Sequence, residues 1–461
     1  MVRQAEGRTK SDPISLVPAL GPERPVIWPK PAKHTLGNGL EVVLLESHNI
    51  PKFTGQLYFR SGNADAPETP GLAGLTAEVV RTGTAHRESR RIEEDLRRIG
   101  ADLGTGAGAD TSYISFAGLT DFAPDLLTLV AEMAREASLP AEEFERERRQ
   151  LLESVRIERT TPSFLGSERL RRVLFGSHPY GTVAPTETQV AAFRREHLVD
   201  FYHQRYKPTG ALLVLVGDFS TAAMLAEVEG MFSSWPAGEV APPSEPALPD
   251  VRGRHVHFVH LPESVQAQVL IGNRAITRKH PDWMRLGLAN SIYGGAFNSR
   301  LVMNIREAKG YTYSPGSSAR ALRRHGYFST HAAVRNDVVA ATITEMFYEL
   351  DRMRSLPVGE DELADARNYL SGVFSLGLAT QDGLAGQLSG LYLDQLPEDY
   401  LEMYRQRIRA LTADDVLSAA RSWFDTANAQ IVVVGDRAQI ASQAALFGEV
   451  SFYDAQGAPL A

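Results

Sequence analysis

Short apolar runs and segments of helical apolar spacing follow one another along the first half of the chain, and the second half closes on the same pattern. Leu40–Leu45 and Phe53–Arg60 read as strands on either side of a turn-prone Ser47–Pro51 segment. A helix is predicted over 71–82 and a charged one from Ser89 to Ile99. Thr111–Gly118 alternates like a strand. Residues 122–137 and 140–159 carry helical apolar spacing, the second opened by the start signal Pro140-Ala-Glu-Glu. A further helix closes over Asp200–Pro208, and Ala211–Gly217 is an unbroken apolar run, as a buried strand requires.

Residues 236–250, PAGEVAPPSEPALPD, hold five prolines and read as a linker. Before it stands FYHQRYKPTGALLVLVGDFS, and near the C-terminus stands AARSWFDTANAQIVVVGDRA. Both run helix, break, apolar strand, Val-Gly-Asp, helix, with Gly217 and Gly435 lying 218 residues apart. Half the chain length separates the two copies, so duplication of one domain is the simplest account. Each half mixes consecutive strands with runs of helices. The fold class expected is therefore α+β: two homologous halves, each a mixed or antiparallel sheet covered by helices. The division expected is an extended N-terminal arm over 1–33, one domain over 34–235, the linker, and a second domain over 251–461.

Composition narrows the function classes. A chain of 461 residues exceeds one ordinary core. Net charge −8 lacks the basic footprint of a nucleic-acid binder. Without cysteine there is no disulfide, thiolate zinc site or cysteine nucleophile. Apolar runs such as Ala211–Val216 and Ile431–Val434 fall far short of a membrane span. Residues 1–25 show no apolar leader core, so the expected compartment is the cytoplasm, or the periplasm if a leader precedes residue 1.

Residues 71–84 read GLAGLTAEVVRTGT. The stretch resembles G-L-A-H-x-x-E-H-x-x-x-x-G-T, the inverted zinc motif of the pitrilysin/insulinase metallopeptidases. There, two histidines four apart on one helix face bind Zn²⁺, and the glutamate before the second is the general base. In that register Gly74 and Glu78 stand where the histidines belong and Ala77 where the base belongs, while Gly71, Leu72, Ala73, Gly83 and Thr84 keep the frame. The family's third ligand is a glutamate in a segment resembling E-R-x-x-x-L-x-E-[IV]-R. Residues 147–156 read ERRQLLESVR, which puts Ser154 at the ligand position. Glu153 is one residue early, about 100° away around the helix. Glu147 and Glu158 read as solvated faces of a charged helix. No metal site is expected in this chain.

Residues 299–313, SRLVMNIREAKGYTY, resemble the C-terminal-half signature of the same family, in which an arginine and a tyrosine seven residues apart reach a zinc site. By that resemblance the pair is Arg306 and Tyr313. A phenol O–H suits the oxygen on which charge builds during peptide cleavage, and a guanidinium holds a carbonyl or carboxylate. The plainer reading is a helix ending at Gly310 and a strand with Tyr311 and Tyr313 on one face.

Some bacterial members of the family divide the site between two chains, one carrying the ligands and the other the arginine–tyrosine pair. The resemblance implies that this chain is the second kind, one half of a clamshell. It would be a non-catalytic subunit of a heterodimeric zinc metallopeptidase, with zinc held by an H-x-x-E-H partner and peptides as substrates. The rival is an inert peptide-binding or structural homologue.

Gly104, Gly106 and Gly108 do not lead into a helix, so they form no phosphate loop. They fit either a flexible bend or a sheet edge where, in the family, a substrate peptide adds as a strand. His255, His257 and His260 read as an edge strand and offer a third possibility, an unfamiliar metal site, although His260 faces away from the other two by parity. His178-Pro-Tyr-Gly reads as a turn with a structural tyrosine.

Overall fold

A computed structural model describes residues 28–240 and 245–461. Most of the expected N-terminal arm and part of the linker lie outside the described residues. The first sheet holds β1 (Ala32–Thr35), β2 (Glu41–Glu46), β3 (Lys52–Phe59), β4 (Asp102–Ala107), β5 (Ser112–Leu119) and β6 (Ala211–Gly217), in the order β1-β2-β6-β3-β5-β4. The second holds β7 (His255–His260), β8 (Gln266–Ala275), β9 (Gly316–Ala321), β10 (Gly326–Arg335), β11 (Gln430–Gly435), β12 (Val450–Tyr453) and β13 (Pro459–Leu460), in the order β13-β12-β7-β11-β8-β10-β9.

The halves are copies of one topology. β2 pairs parallel with β6, and β6-β3-β5-β4 continue antiparallel. β7 pairs parallel with β11, and β11-β8-β10-β9 continue antiparallel. The two Val-Gly-Asp strings end the equivalent strands β6 and β11.

Both of these strands are buried at every residue because both faces of each sheet are covered. On β6, Leu213 and Leu215 join the core of their own half, whereas Leu212, Val214 and Val216 pack with Phe374, Ala385, Leu388 and Leu391. Those four belong to the Glu360–Gly377 and Gln381–Leu393 helices of the second half. In return, the Pro162–Phe175 helix of the first half lays Leu165, Leu170, Leu174 and Phe175 against Leu270, Val432 and Val434 of the second sheet. Each half thus completes the other's sandwich.

The histidine strand departs from expectation. β7 is internal, lying between β12 and β11, because two short C-terminal strands extend the sheet beyond it. The 89–99 helix is as expected: it buries Ile92, Leu96 and Ile99 and pairs Arg90 with Glu94 and Arg91 with Asp95 outside.

Candidate functional site

The Leu72–Val80 helix buries every residue except Gly74 and Glu78, which are four apart and so share one face. That face looks into a cleft of about 540 Å³. The opposite helical wall is the Ala141–Glu158 helix, which contributes Glu147, Leu151, Ser154 and Glu158. Steps of four, three and four keep these side chains in line. The three positions where family ligands would stand, 74, 78 and 154, therefore line one cleft. Ala77 is fully buried beneath them. A Cβ added at Gly74 would meet nothing within 4 Å, so the position faces open cleft.

The donors at these positions do not suit zinc, since one carboxylate, Glu78, replaces two imidazoles and a glutamate. Glu153 is exposed and pairs with Arg156 at 2.6 Å. Glu147 corrects the expectation of a solvated face: it is only 8% exposed, paired with Arg146 at 2.9 Å, and turned into the cleft. Its spacing of seven from Ser154 placed it on that face and could have revealed it. Glu158 also lines the cleft. Burial raises the pKa of Glu78, which Arg81 opposes and Glu147 reinforces; burial raises that of Glu158.

The third wall is β4, which ends its sheet. Gly104 and Gly106 lie in that strand and Gly108 in the turn after it, and of the three only Gly106 lines the cleft. A Cβ at Gly106 would come within 2.6 Å of the Tyr113 phenol oxygen, so a larger residue there would displace the Tyr113 ring. Gly108 closes the turn, accepting from the Asn63 backbone N–H at 2.9 Å and donating to the Thr111 carbonyl at 2.8 Å.

Arg306 and Tyr313 lie elsewhere, because all of the residues lining the cleft come from 63–185. Arg306 sits in a π-helical stretch, Val302–Ala308, that follows another at Ser291–Gly295. Wide turns of this kind recur at functional sites. Asn304 Nδ2 donates to Glu345 at 3.0 Å and Glu349 at 2.8 Å, and Lys309 pairs with Glu345 at 2.7 Å. Arg300 grips Glu362 through two bonds of 2.7 and 2.6 Å. The segment is thus fastened to the Val339–Ser355 and Glu360–Gly377 helices.

Gly310 turns the chain out at φ +61°. No strand follows until Gly316, so the alternative with Tyr311 and Tyr313 on one strand face does not hold. Tyr313 is 80% exposed. The Arg306 guanidinium carbon lies 4.7 Å from the Tyr313 ring centre and 4.7 Å from that of Phe297, itself 71% exposed. Sequence reasoning missed Phe297, because only the fold brings it onto the arginine.

The β7 histidines do not converge on one point. His255 bonds Ser451 at 2.8 Å, His257 bonds Gln430 at 3.1 Å, and His260 Nδ1 accepts the Arg437 N–H at 3.2 Å. Among the described residues a different trio gathers: His178, Glu245 and His325, with ligand-type atoms within 4.8 Å of one another. His178 Nδ1 accepts the Tyr180 backbone N–H at 3.1 Å. That bond puts the neutral ring's proton on Nε2, which then offers an N–H rather than a lone pair, so the trio is a poor metal cage. Tyr180, in the turn expected there, is buried and donates to Asp110 at 2.6 Å.

A duplicated α+β pair carrying an inverted-zincin frame defines a metallopeptidase clamshell half. The chain belongs to the insulinase family. The family model described as Insulinase (Peptidase family M16) matches residues 41–181, and that described as Peptidase M16 inactive domain matches 192–370. The chain is similar to an uncharacterized zinc protease of Streptomyces coelicolor, 25% identical over 398 residues, covering 84% of this chain and 86% of that protein. The fold matches a crystal structure of a peptidase M16 inactive domain from Pseudomonas fluorescens at TM-score 0.82 and 25% identity, covering 88% of this chain and 98% of that one. It also matches a protease from Helicobacter pylori at TM-score 0.84 and 19% identity, covering 88% of this chain and all of that one.

Proposed function

We propose that this chain is the non-catalytic subunit of a two-chain zinc metallopeptidase. It holds no zinc itself, and its Arg306 and Tyr313 serve the metal site of an H-x-x-E-H chain of the same family. The observation that carries this reading is the division within one molecule. The cleft of the first half lacks the ligand set, while a half-buried Arg306, paired with Glu307 at 3.2 Å, and an exposed Tyr313 lie together on a braced segment of the second half. A surface phenol whose O–H has no partner among the described residues can donate to an oxygen on which charge develops, and a neighbouring guanidinium can hold a substrate carbonyl or carboxylate.

Purified alone, the chain is expected to bind no stoichiometric zinc and to cleave no peptide. Mixed with an H-x-x-E-H family member encoded beside it, it should restore cleavage. Metal-dependent peptidase activity from the single chain would overturn the proposal.

A second reading, an inert peptide-binding homologue, draws on the exposed edge of β4 along the cleft, where Thr105, Gly106 and Ala107 offer main-chain groups to an added strand. Peptide binding by the single chain, with no cleavage in any mixture, would favour it.

A further inference from the structure

Arg306 is held differently from its neighbours. Arg300, Asn304 and Lys309 are each tied to a carboxylate on a separate helix. Among the described residues, the carboxylate in ion-pair reach of Arg306 is that of Glu307, the next residue in the chain, 3.2 Å from Nε. A partner so close in sequence does little to fix the end of a long side chain. Two aromatic rings do the rest, those of Phe297 and Tyr313, each centred 4.7 Å from the guanidinium carbon.

Phe297 stands on a firm backbone. It lies in the turn between the two π-helical stretches. The Ala296 N–H donates to the Ser291 carbonyl at 3.2 Å, and the Ser299 N–H to the Ala296 carbonyl at 3.1 Å. The Arg300–Glu362 pair fastens the end of the turn. With 71% of its surface in water, the ring adds little to the core, so packing gives no reason for an aromatic side chain there. Its contact with Arg306 does give one. An ion pair occupies the N–H edges of a guanidinium, whereas an aromatic ring attracts the cation through its face and leaves N–H groups for another acceptor.

We propose that Phe297 is a positioning residue for Arg306. Its ring, with that of Tyr313, holds the guanidinium where it meets a carbonyl or carboxylate of the peptide substrate. The inference rests on the substrate-binding role given to Arg306 above. One exposed cation–ring contact corresponds to about a two- to fivefold change in an equilibrium.

The test compares Phe297→Ala, which removes the ring, with Phe297→Tyr, which keeps it; the side chain is exposed, so both variants should fold. In the full chain alone, the rate at which phenylglyoxal modifies Arg306 is followed by mass spectrometry. It should rise about two- to fivefold in Phe297→Ala and stay unchanged in Phe297→Tyr. In the mixture with the H-x-x-E-H chain, Phe297→Ala should raise KM by the same factor with kcat little changed, Phe297→Tyr should restore it, and Phe297→Ala should add nothing on an Arg306→Ala background. An unchanged modification rate in Phe297→Ala would overturn the inference, as would a KM defect that persists without the arginine. Cleavage that needs Arg306 but is indifferent to Phe297→Ala would overturn this inference alone. Cleavage indifferent to Arg306→Ala would overturn the role of Arg306 as well.

Discussion

Replacing Tyr313 by phenylalanine isolates one oxygen atom. The side chain is 80% exposed, and its hydroxyl makes no hydrogen bond among the described residues, so the fold loses nothing with it. The ring that remains still lies against Arg306, whose guanidinium carbon is 4.7 Å from its centre. If the phenol donates to the oxygen that gains charge during cleavage, its loss should lower kcat by roughly 10²–10³-fold, or about 3–4 kcal/mol, with KM changed little. Tyr313→Ala goes further, removing the ring and a stacking contact worth about 0.5–1 kcal/mol at an exposed site. It should therefore add a rise in KM as Arg306 loses its place. The assay is steady-state cleavage of a quenched fluorescent peptide by this chain mixed with its H-x-x-E-H partner, with urea unfolding as the control for folding. A Tyr313→Phe mixture that cleaves within twofold of the unaltered pair would refute the role given to the phenol, since nothing else in the site is changed.

Three further outcomes follow from the packing and the chemistry. Phe175 is fully buried between the halves, with Tyr180 and Tyr327 at 5.9 and 6.1 Å; Phe175→Ala should cost about 3–5 kcal/mol in urea unfolding, and a loss below 1 kcal/mol would contradict the reciprocal packing. Burial pulls the His257 pKa from 6.5 down to about 4. Below pH 6.5 the unfolded chain takes up a proton that the folded chain refuses until about pH 4, so stability falls by about 3 kcal/mol across that window as pH drops, and His257→Leu should flatten this part of the pH profile. Because positions 74, 78 and 154 line one cleft with room at Gly74, the triple variant Gly74→His, Glu78→His, Ser154→Glu should gain one zinc per chain by elemental analysis. Failure of that well-folded variant to bind zinc would show that the walls no longer hold ligand geometry.

Periodicity along the chain was enough for most elements of the first half, a repeated string for the duplication, and the resemblance to the family for the degenerate zinc frame. Gly74 and Glu78 share a helix face because four residues make one turn, and Glu147 joins Ser154 because seven make two, although the charge of Glu147 drew it toward the solvated reading. Such relations are local, fixed by backbone geometry whatever the rest of the fold does. The resemblance at 299–313 to the family's C-terminal signature singled out Arg306 and Tyr313.

Other features depend on contacts between residues far apart in sequence. The unbroken apolar runs of β6 and β11 announced burial on both faces, but not that each half supplies the helices covering the other. The internal place of β7 depends on two short strands arriving from the C-terminus, too brief to carry a periodic signal. Phe297 is an ordinary exposed phenylalanine until the chain folds back to set it beside Arg306, and Arg323 reaches Asp65 and Asp110 only across the seam. Sequence by itself determined the faces of the helices and the longer apolar strands, because those follow from neighbours a few residues apart. Tertiary structure alone decided which side chains share a cavity, because that depends on how two separately patterned halves dock.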